Sequence, residues 1–374
     1  GLVDADLLNG GTRHPNLVLL KLAGFLTDNA IPFRLIIDKD ENIMEYTTIY
    51  MSKVFSFTPD PPFYEKVKKT PNENKFKIGG TGDYAIKKDI KDFKSSRTRD
   101  MNQLENDIFL NNYPNKRGGK KKWGIDMCRQ MPYYHLYDEY IQSKIKAGRK
   151  KSYFNDYLYY SIGFLTRGCI RHCPFCVNKL ENKVYRYSEL EWFLDDERNE
   201  KGDLIRPYIY LWDDNFLAAP KEIWQPMLQS LIDSKRPFQF RQGLDERILA
   251  ESEDGEEIAQ MLSKCKYHGD FIFAFDNWRD RDKIIKALKI WKRHNSKRGT
   301  KFYLFCGYTL KSGEDEKLYN DIKILFERIK ILMQYGCFGY VMRHADYVNH
   351  KLSNIYVQIA RWCNQPQFYR YMSF

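Results

Sequence analysis

Six short apolar runs recur at 158–165, 208–212, 238–240, 271–275, 302–305 and 338–341, and the intervals 188–198, 220–234, 256–264, 281–294 and 314–335 carry apolar residues at helical spacing. Runs of strand length that alternate with amphipathic helices predict a parallel βα array, because a parallel neighbour needs a crossover long enough to hold a helix. Polar residues gather just after the runs. Asp213-Asp214-Asn215-Phe216 follows the second, Arg241-Gln242-Gly243-Leu244-Asp245 the third, Asp276-Asn277-Trp278 the fourth, Gly307-Tyr308-Thr309 the fifth and Arg343-His344 the sixth. An acid in such a place either faces a ligand or caps the next helix, and both readings apply to Asp245 and Asp276.

The first run leads into Cys169, Cys173 and Cys176, a C-x3-C-x2-C pattern with Phe175 immediately before the last cysteine. Three thiolates this close can hold three irons of a four-iron cluster, whereas a closed zinc site or a fully ligated ferredoxin cluster takes a fourth protein ligand. No fourth cysteine lies near in sequence, so a zinc knuckle would need His172 or Cys128. With a cluster, one iron stays open to an exogenous ligand and Phe175 is placed beside it. The other cysteines, Cys128, Cys265, Cys306, Cys337 and Cys363, are odd in number and widely scattered, which is no disulfide framework and predicts a reducing, cytoplasmic setting.

These residues resemble the radical S-adenosylmethionine superfamily, whose cluster loop has this cysteine spacing and an aromatic before the last cysteine. The resemblance implies a partial (β/α)6 TIM-type barrel over 153–350, a [4Fe-4S] cluster on Cys169, Cys173 and Cys176, and S-adenosylmethionine bound through its amine and carboxylate to the open iron. It also implies site roles: Asp213 or Asp214, with Asn215, toward the methionyl ammonium, Gln242 or Asp276 toward ribose hydroxyls, Gly307 and Tyr308 toward the adenine, and Arg343 as a bidentate partner of the carboxylate. The D-D-N-F form after the second run is similar to that of the cobalamin-type and methylthio-transferring branches. A flavodoxin- or ferredoxin-type reductant would deliver the electron. Reductive cleavage would give a 5′-deoxyadenosyl radical that abstracts hydrogen from a substrate, opening methyl or methylthio transfer and rearrangement alike.

Ahead of the barrel, a strand over 2–8, a helix over 16–26 behind Pro15, strands over 31–37 and 49–57, and a fourth ending at Lys77-Ile78 before Gly79-Gly80-Thr81-Gly82 predict a small open-sheet, Rossmann-like α/β domain over 1–85. It resembles the cobalamin-binding domain of one branch of the superfamily, which raises cobalamin as a cofactor. The D-x-H-x-x-G ligand motif is missing, however, since the corresponding stretch is Asp4-Ala5-Asp6-Leu7-Leu8-Asn9. Residues 351–374 are expected to form a C-terminal helix, with Ser353 as its cap, and a tail.

The net charge of +12 is concentrated in the connecting segment 86–152, chiefly over 86–125, where Met101 opens one expected helix, and over 141–152. Between these lies an aromatic stretch, Tyr133 to Tyr140. A localised basic patch points to a phosphate-bearing partner, nucleic acid or nucleotide, and the tyrosines would either stack on bases or pack in a domain interface. No apolar run is long enough to cross a bilayer and no secretory signal opens the chain, so no membrane partner is expected. Two rival readings are a nucleic-acid-binding protein with a structural metal site and a catalytically inactive barrel serving as a scaffold.

Overall fold

The computed structural model describes residues 1–80, 127–176, 178, 182–308, 315–349 and 351–374. The basic stretch 86–125 with its lysines Lys120, Lys121 and Lys122, the helix expected over 101–109, and Thr309 all lie outside the described residues. The chain forms two compact units, Gly1–Gly163 with Tyr187–Ile209, and Phe164–Arg186 with Tyr210–Phe374. Among the described residues the architecture is mixed α/β with small parallel sheets and no closed barrel.

The first unit holds a parallel sheet of β1 (Leu2–Asp4), β2 (Ile49–Ser52) and β3 (Phe76–Gly79) in that order. The expected strand over 2–8 stops at Asp4, because its carboxylate accepts the Leu7 N–H at 3.1 Å and caps helix α1 (Ala5–Gly10). The expected 49–57 strand stops at Ser52, since after Lys53, whose N–H still donates to Gly79 O at 2.9 Å, the backbone N–H groups of Val54 and Phe55 turn to the Asp6 carboxylate. Over 31–37 only Leu35 bridges to Leu2 and no strand forms. Helix α2 (Leu17–Asp28), capped by Asn16, buries Leu19, Leu20, Leu22, Ala23 and Leu26. Tyr134, Tyr137 and Tyr140 are buried in the same core, so these tyrosines pack rather than offer faces to bases. Helix α3 (Pro62–Val67) and helix α4 (Asp138–Lys146) complete the larger pieces.

In the same unit, the helix expected over 188–198 is reduced to one 3₁₀ turn, Leu190–Trp192. Tertiary contacts override its helical pattern. The Phe193 ring lies where a Cβ on Gly163 would run into it, and the Asp195 N–H donates to Ser161 Oγ at 3.0 Å, which pulls the segment along strand β4 (Tyr160–Gly163).

Strand β7 (Tyr208–Leu211) runs across the division between the units: Tyr208 N–H donates to Tyr159 O in the first, and Arg241 N–H to Leu211 O in the second. The second unit contains a short antiparallel ladder of β5 (Thr166–Arg167) with β6 (Tyr185–Arg186), strand β8 (Phe238–Phe240), and a parallel sheet in the order β11 (Phe338–Arg343), β10 (Thr300–Cys306), β9 (Phe271–Ala274). Helices Lys221–Asp233, Arg281–Asn295 and Asp315–Gln334 follow β7, β9 and β10. Their apolar faces seal the strands: Ile284, Ala287, Leu288 and Trp291, spaced at i, i+3, i+4 and i+7, are buried, with Trp291 Nε1 donating to Thr300 Oγ1 at 3.0 Å. The last long helix, Ser353–Cys363, has Leu352 rather than Ser353 at its cap. No described helix is long and apolar enough to cross a membrane.

Candidate functional site

The β5–β6 ladder closes a loop whose described part carries all three cysteines of the motif. Gly168 opens it at φ +90°, a conformation that suits glycine, and a Cβ there would also run into the Lys183 carbonyl. Within the loop, Cys176 N–H donates to Cys173 O at 3.0 Å, and two thiols accept from backbone two residues on: Arg171 N–H to Cys169 Sγ at 3.3 Å, Asn178 N–H to Cys176 Sγ at 3.4 Å. Burial pushes the Cys169 and Cys173 thiols up, and for Cys169 the donors Asn215 and Arg171 pull back.

Three consecutive residues after β7 grip this loop. Asp213, sealed from solvent, accepts Leu165 N–H at 3.1 Å, Thr166 N–H at 2.6 Å and the Thr166 hydroxyl at 2.7 Å. Burial pushes its carboxyl up to about 7 against those donors. Asp214 accepts Gly168 N–H at 3.0 Å and Asn178 Nδ2 at 2.7 Å. Asn215 Nδ2 donates to Cys169 Sγ at 3.4 Å and to Asp245 at 3.2 Å. Asp213 and Asp214, which the sequence offers as ligand contacts, therefore spend their oxygens on backbone and side-chain donors of the segment that carries the cysteines.

A second brace was not legible in the sequence. Arg171, inside the cysteine loop, donates to Asp245 at 2.7 Å and to Glu251 at 2.5 Å, and Arg247 donates to the other Asp245 oxygen at 2.7 Å. Burial would raise Asp245, but Arg247 and Arg171 outweigh it and hold the carboxyl below the usual range. Asp245 is thus an ion-pair hub and caps no helix. Beside it Glu246 is buried and raised well above the usual carboxyl, by burial first and then by Asp245. Ladder spacing and charge pattern name none of these partners, because each contact joins segments far apart in the chain.

The other expected residues are distributed unevenly. Phe175, 39% exposed, packs on Phe305 with centroids 4.2 Å apart and meets Tyr308 edge-on at 5.8 Å, and His344 meets Tyr308 at 5.0 Å. These four rings join the cysteine loop to the ends of β10 and β11. Gly307 takes φ +72° and donates its N–H to Asp321 at 3.1 Å. Asp276 is half-buried, desolvation raises its carboxyl, and one oxygen accepts Phe305 N–H at 2.9 Å. Gln242 is exposed. Arg343 is also exposed, its guanidinium stacked 4.6 Å over Tyr347 and donating to that hydroxyl at 3.0 Å.

Two buried acceptors near this loop and its braces, Asn215 Oδ1 and Glu246 Oε1, have no hydrogen-bond partner among the described residues. Nor do three His, Cys, Asp or Glu side chains converge there as a site for a single metal ion. A cluster takes each thiolate on a separate iron, so its ligands stand further apart than those of one ion. Of the unit's remaining cysteines, burial pushes Cys265, Cys306 and Cys363 up to about 12 and Cys337 up to about 11, so they are core thiols and poor metal ligands. No model of a known protein family matches this chain, and no curated protein matches it either.

Proposed function

We propose that this chain is a radical S-adenosylmethionine enzyme, with the described strands of 153–350 belonging to a partial (β/α)6 barrel. The observation that carries the reading is the braced loop: three cysteines on one hairpin, fixed from below by Asp213, Asp214 and Asn215 and from the side by Asp245 through Arg171. The donor set fits an iron–sulfur cluster. Cys169, Cys173 and Cys176 would hold it, and the N–H groups of Asn215 and Arg171 aimed at Cys169 favour its thiolate where burial alone favours the thiol. When bound, such a cluster with one protein-free iron supplies the electron, drawn from a flavodoxin- or ferredoxin-type partner, that splits the sulfonium of S-adenosylmethionine and starts hydrogen abstraction.

The chain's own residues then bind and orient. Asn215 Oδ1, buried and unpartnered, is an acceptor for an N–H donor such as the methionyl ammonium. Phe175, Phe305, Tyr308 and His344 present ring faces suited to a purine. Arg343 keeps guanidinium donors for a carboxylate, and Gln242 and Asp276 are the candidates for ribose hydroxyls. Asp213 and Asp214 are positioning residues: they hold the loop. In the first unit, the segment corresponding to a cobalamin lower-ligand loop is folded into α1 with Asp4 and Asp6 engaged, so it does not fit a histidine-ligated cobalamin.

Anaerobic reconstitution tests the reading. One four-iron cluster per chain is expected, lost in each of Cys169→Ala, Cys173→Ala and Cys176→Ala, together with dithionite-dependent release of 5′-deoxyadenosine by the wild type. Zinc without labile sulfide, or a cluster that survives all three substitutions, would overturn it.

A further inference from the structure

Helix α4 and the turn after it end in five exposed cations, Lys144, Lys146, Arg149, Lys150 and Lys151, with no acidic residue among them. Arg13, also exposed, reaches the same place from the loop after α1. The Arg13 and Arg149 guanidinium groups both lie over the Tyr153 ring, 5.7 and 4.6 Å from its centroid. Lys144 stands 5.4 Å over Tyr140 and Lys151 5.9 Å over Tyr159. None of the six forms an ion pair among the described residues, whereas Lys53 and Lys68 of the same unit share Asp60 and Arg34 takes Glu41. The acid of the following turn, Asp156, is already paired with His14. Lys144 and Lys146 have a local use, since they complement the C-terminal end of α4. Among the described residues Arg13 and Arg149 to Lys151 neutralise no acid, and Arg13, Arg149 and Lys151 rest on tyrosine faces instead.

We infer that this face binds the phosphodiester backbone of a single-stranded nucleic acid. Guanidinium groups stacked on a tyrosine are held with their N–H edges free, the arrangement that takes phosphate oxygens in pairs. The stack also offers flat faces to an unpaired base, which a single strand can splay out and a duplex cannot. An anionic bilayer is a poorer fit, because a membrane-binding face inserts large apolar side chains and none of the exposed ones falls between Asp138 and Tyr159 or beside Arg13. The inference would name the substrate class or a docking partner of the enzyme proposed above, but the binding itself needs no cluster.

The test is fluorescence anisotropy of a labelled single-stranded oligonucleotide titrated with full-length protein across a salt series. Binding that weakens with salt is expected. The triple substitution Arg149→Ala, Lys150→Ala, Lys151→Ala should flatten the log–log salt slope by about 2, at about 0.7 per phosphate released, and weaken binding about a hundredfold near 0.1 M salt. The charge-keeping triple Arg149→Lys, Lys150→Arg, Lys151→Arg should restore the slope, which counts charges, and recover most of the affinity short of what the stacked Arg149 guanidinium adds, which separates charge from any loss of fold. An unchanged slope and affinity in the alanine triple would overturn the inference. So would tighter binding to a duplex of the same sequence, or to phosphatidylserine vesicles. Repeating the titration with Cys169→Ala protein keeps the outcome independent of the cluster reading: binding there with no cluster, or a cluster with no binding, separates the two.

Discussion

Asp4 is sealed from water and still does two jobs: Oδ1 accepts Leu7 N–H to start α1, and Oδ2 accepts the Tyr137 hydroxyl at 2.9 Å. Burial pushes its pKa up to about 6, against the pull of those donors. Between about pH 4 and pH 6 the native chain keeps a proton that the unfolded chain has released, so this carboxyl's contribution to stability falls as pH rises through that window. A shift of about two units at about 1.4 kcal/mol each makes the change about 3 kcal/mol. An asparagine can keep Oδ1 on Leu7 and turn Nδ2 to the Tyr137 oxygen. Asp4→Asn is therefore expected to gain on wild type by up to about 3 kcal/mol in denaturant unfolding as pH goes from 4 to 6. A wild-type-minus-variant difference that stays flat across that range would show that Asp4 titrates as an ordinary carboxyl.

At the scale of elements, the helices govern how the strand-end loops are set. Tyr356, on the helix Ser353–Cys363, donates its buried hydroxyl to Asp321 at 2.5 Å, and the same Asp321 oxygen accepts Gly307 N–H. Two helices thereby fix the left-handed Gly307 and, one residue on, the Tyr308 ring that meets Phe175. Tyr356→Phe removes one buried hydrogen bond, worth about 1 kcal/mol of stability. It is expected to weaken S-adenosylmethionine binding measurably in equilibrium dialysis while the cluster's visible absorbance stays intact. A lowered melting temperature with unchanged binding would leave Tyr356 a core residue only.

Why Tyr356 was invisible in the sequence, while Cys169 was not, is a matter of range. The cysteines are each other's neighbours, so their spacing alone suggests the chemistry proposed for them. Likewise the strand at 238–240 and the helices near 220–234, 256–264 and 281–294 have periods set by local burial, and they stand where periodicity puts them. The 188–198 segment has a helical pattern too, yet Phe193 and Asp195 are claimed by Gly163 and Ser161, and the helix gives way. The same holds in the site. Asp213, Asp214 and Asn215 are legible as polar groups at a strand end, but that they hold residues 165 to 169 is a tertiary fact. Arg171 with Asp245 leaves no local trace at all.

On the scale of the whole molecule, the two units are interleaved in sequence: the chain passes between them at 163–164, 186–187 and 209–210. The cysteine loop belongs to the second unit, but both of its ends continue directly into the first, at Gly163 and Tyr187. The first unit's hold on the Gly163 end runs through Phe193, fully buried, whose ring fills the space beside Gly163 and whose carbonyl accepts the Tyr134 hydroxyl at 2.6 Å. That hydroxyl in turn accepts Ile162 N–H at 2.9 Å, which fixes β4 just before the chain leaves the unit. Phe193→Ala deletes the ring from a closed core, a change that costs about 3–5 kcal/mol. If fixed ends are what keep the loop in shape, this substitution should lower the denaturant midpoint of far-UV circular dichroism and of the reconstituted cluster's visible absorbance together, although no cysteine lies near it in sequence. A variant whose cluster absorbance keeps the wild-type midpoint while the circular dichroism midpoint falls would show that the second unit holds the loop by itself, through Asp213, Asp214 and Asp245.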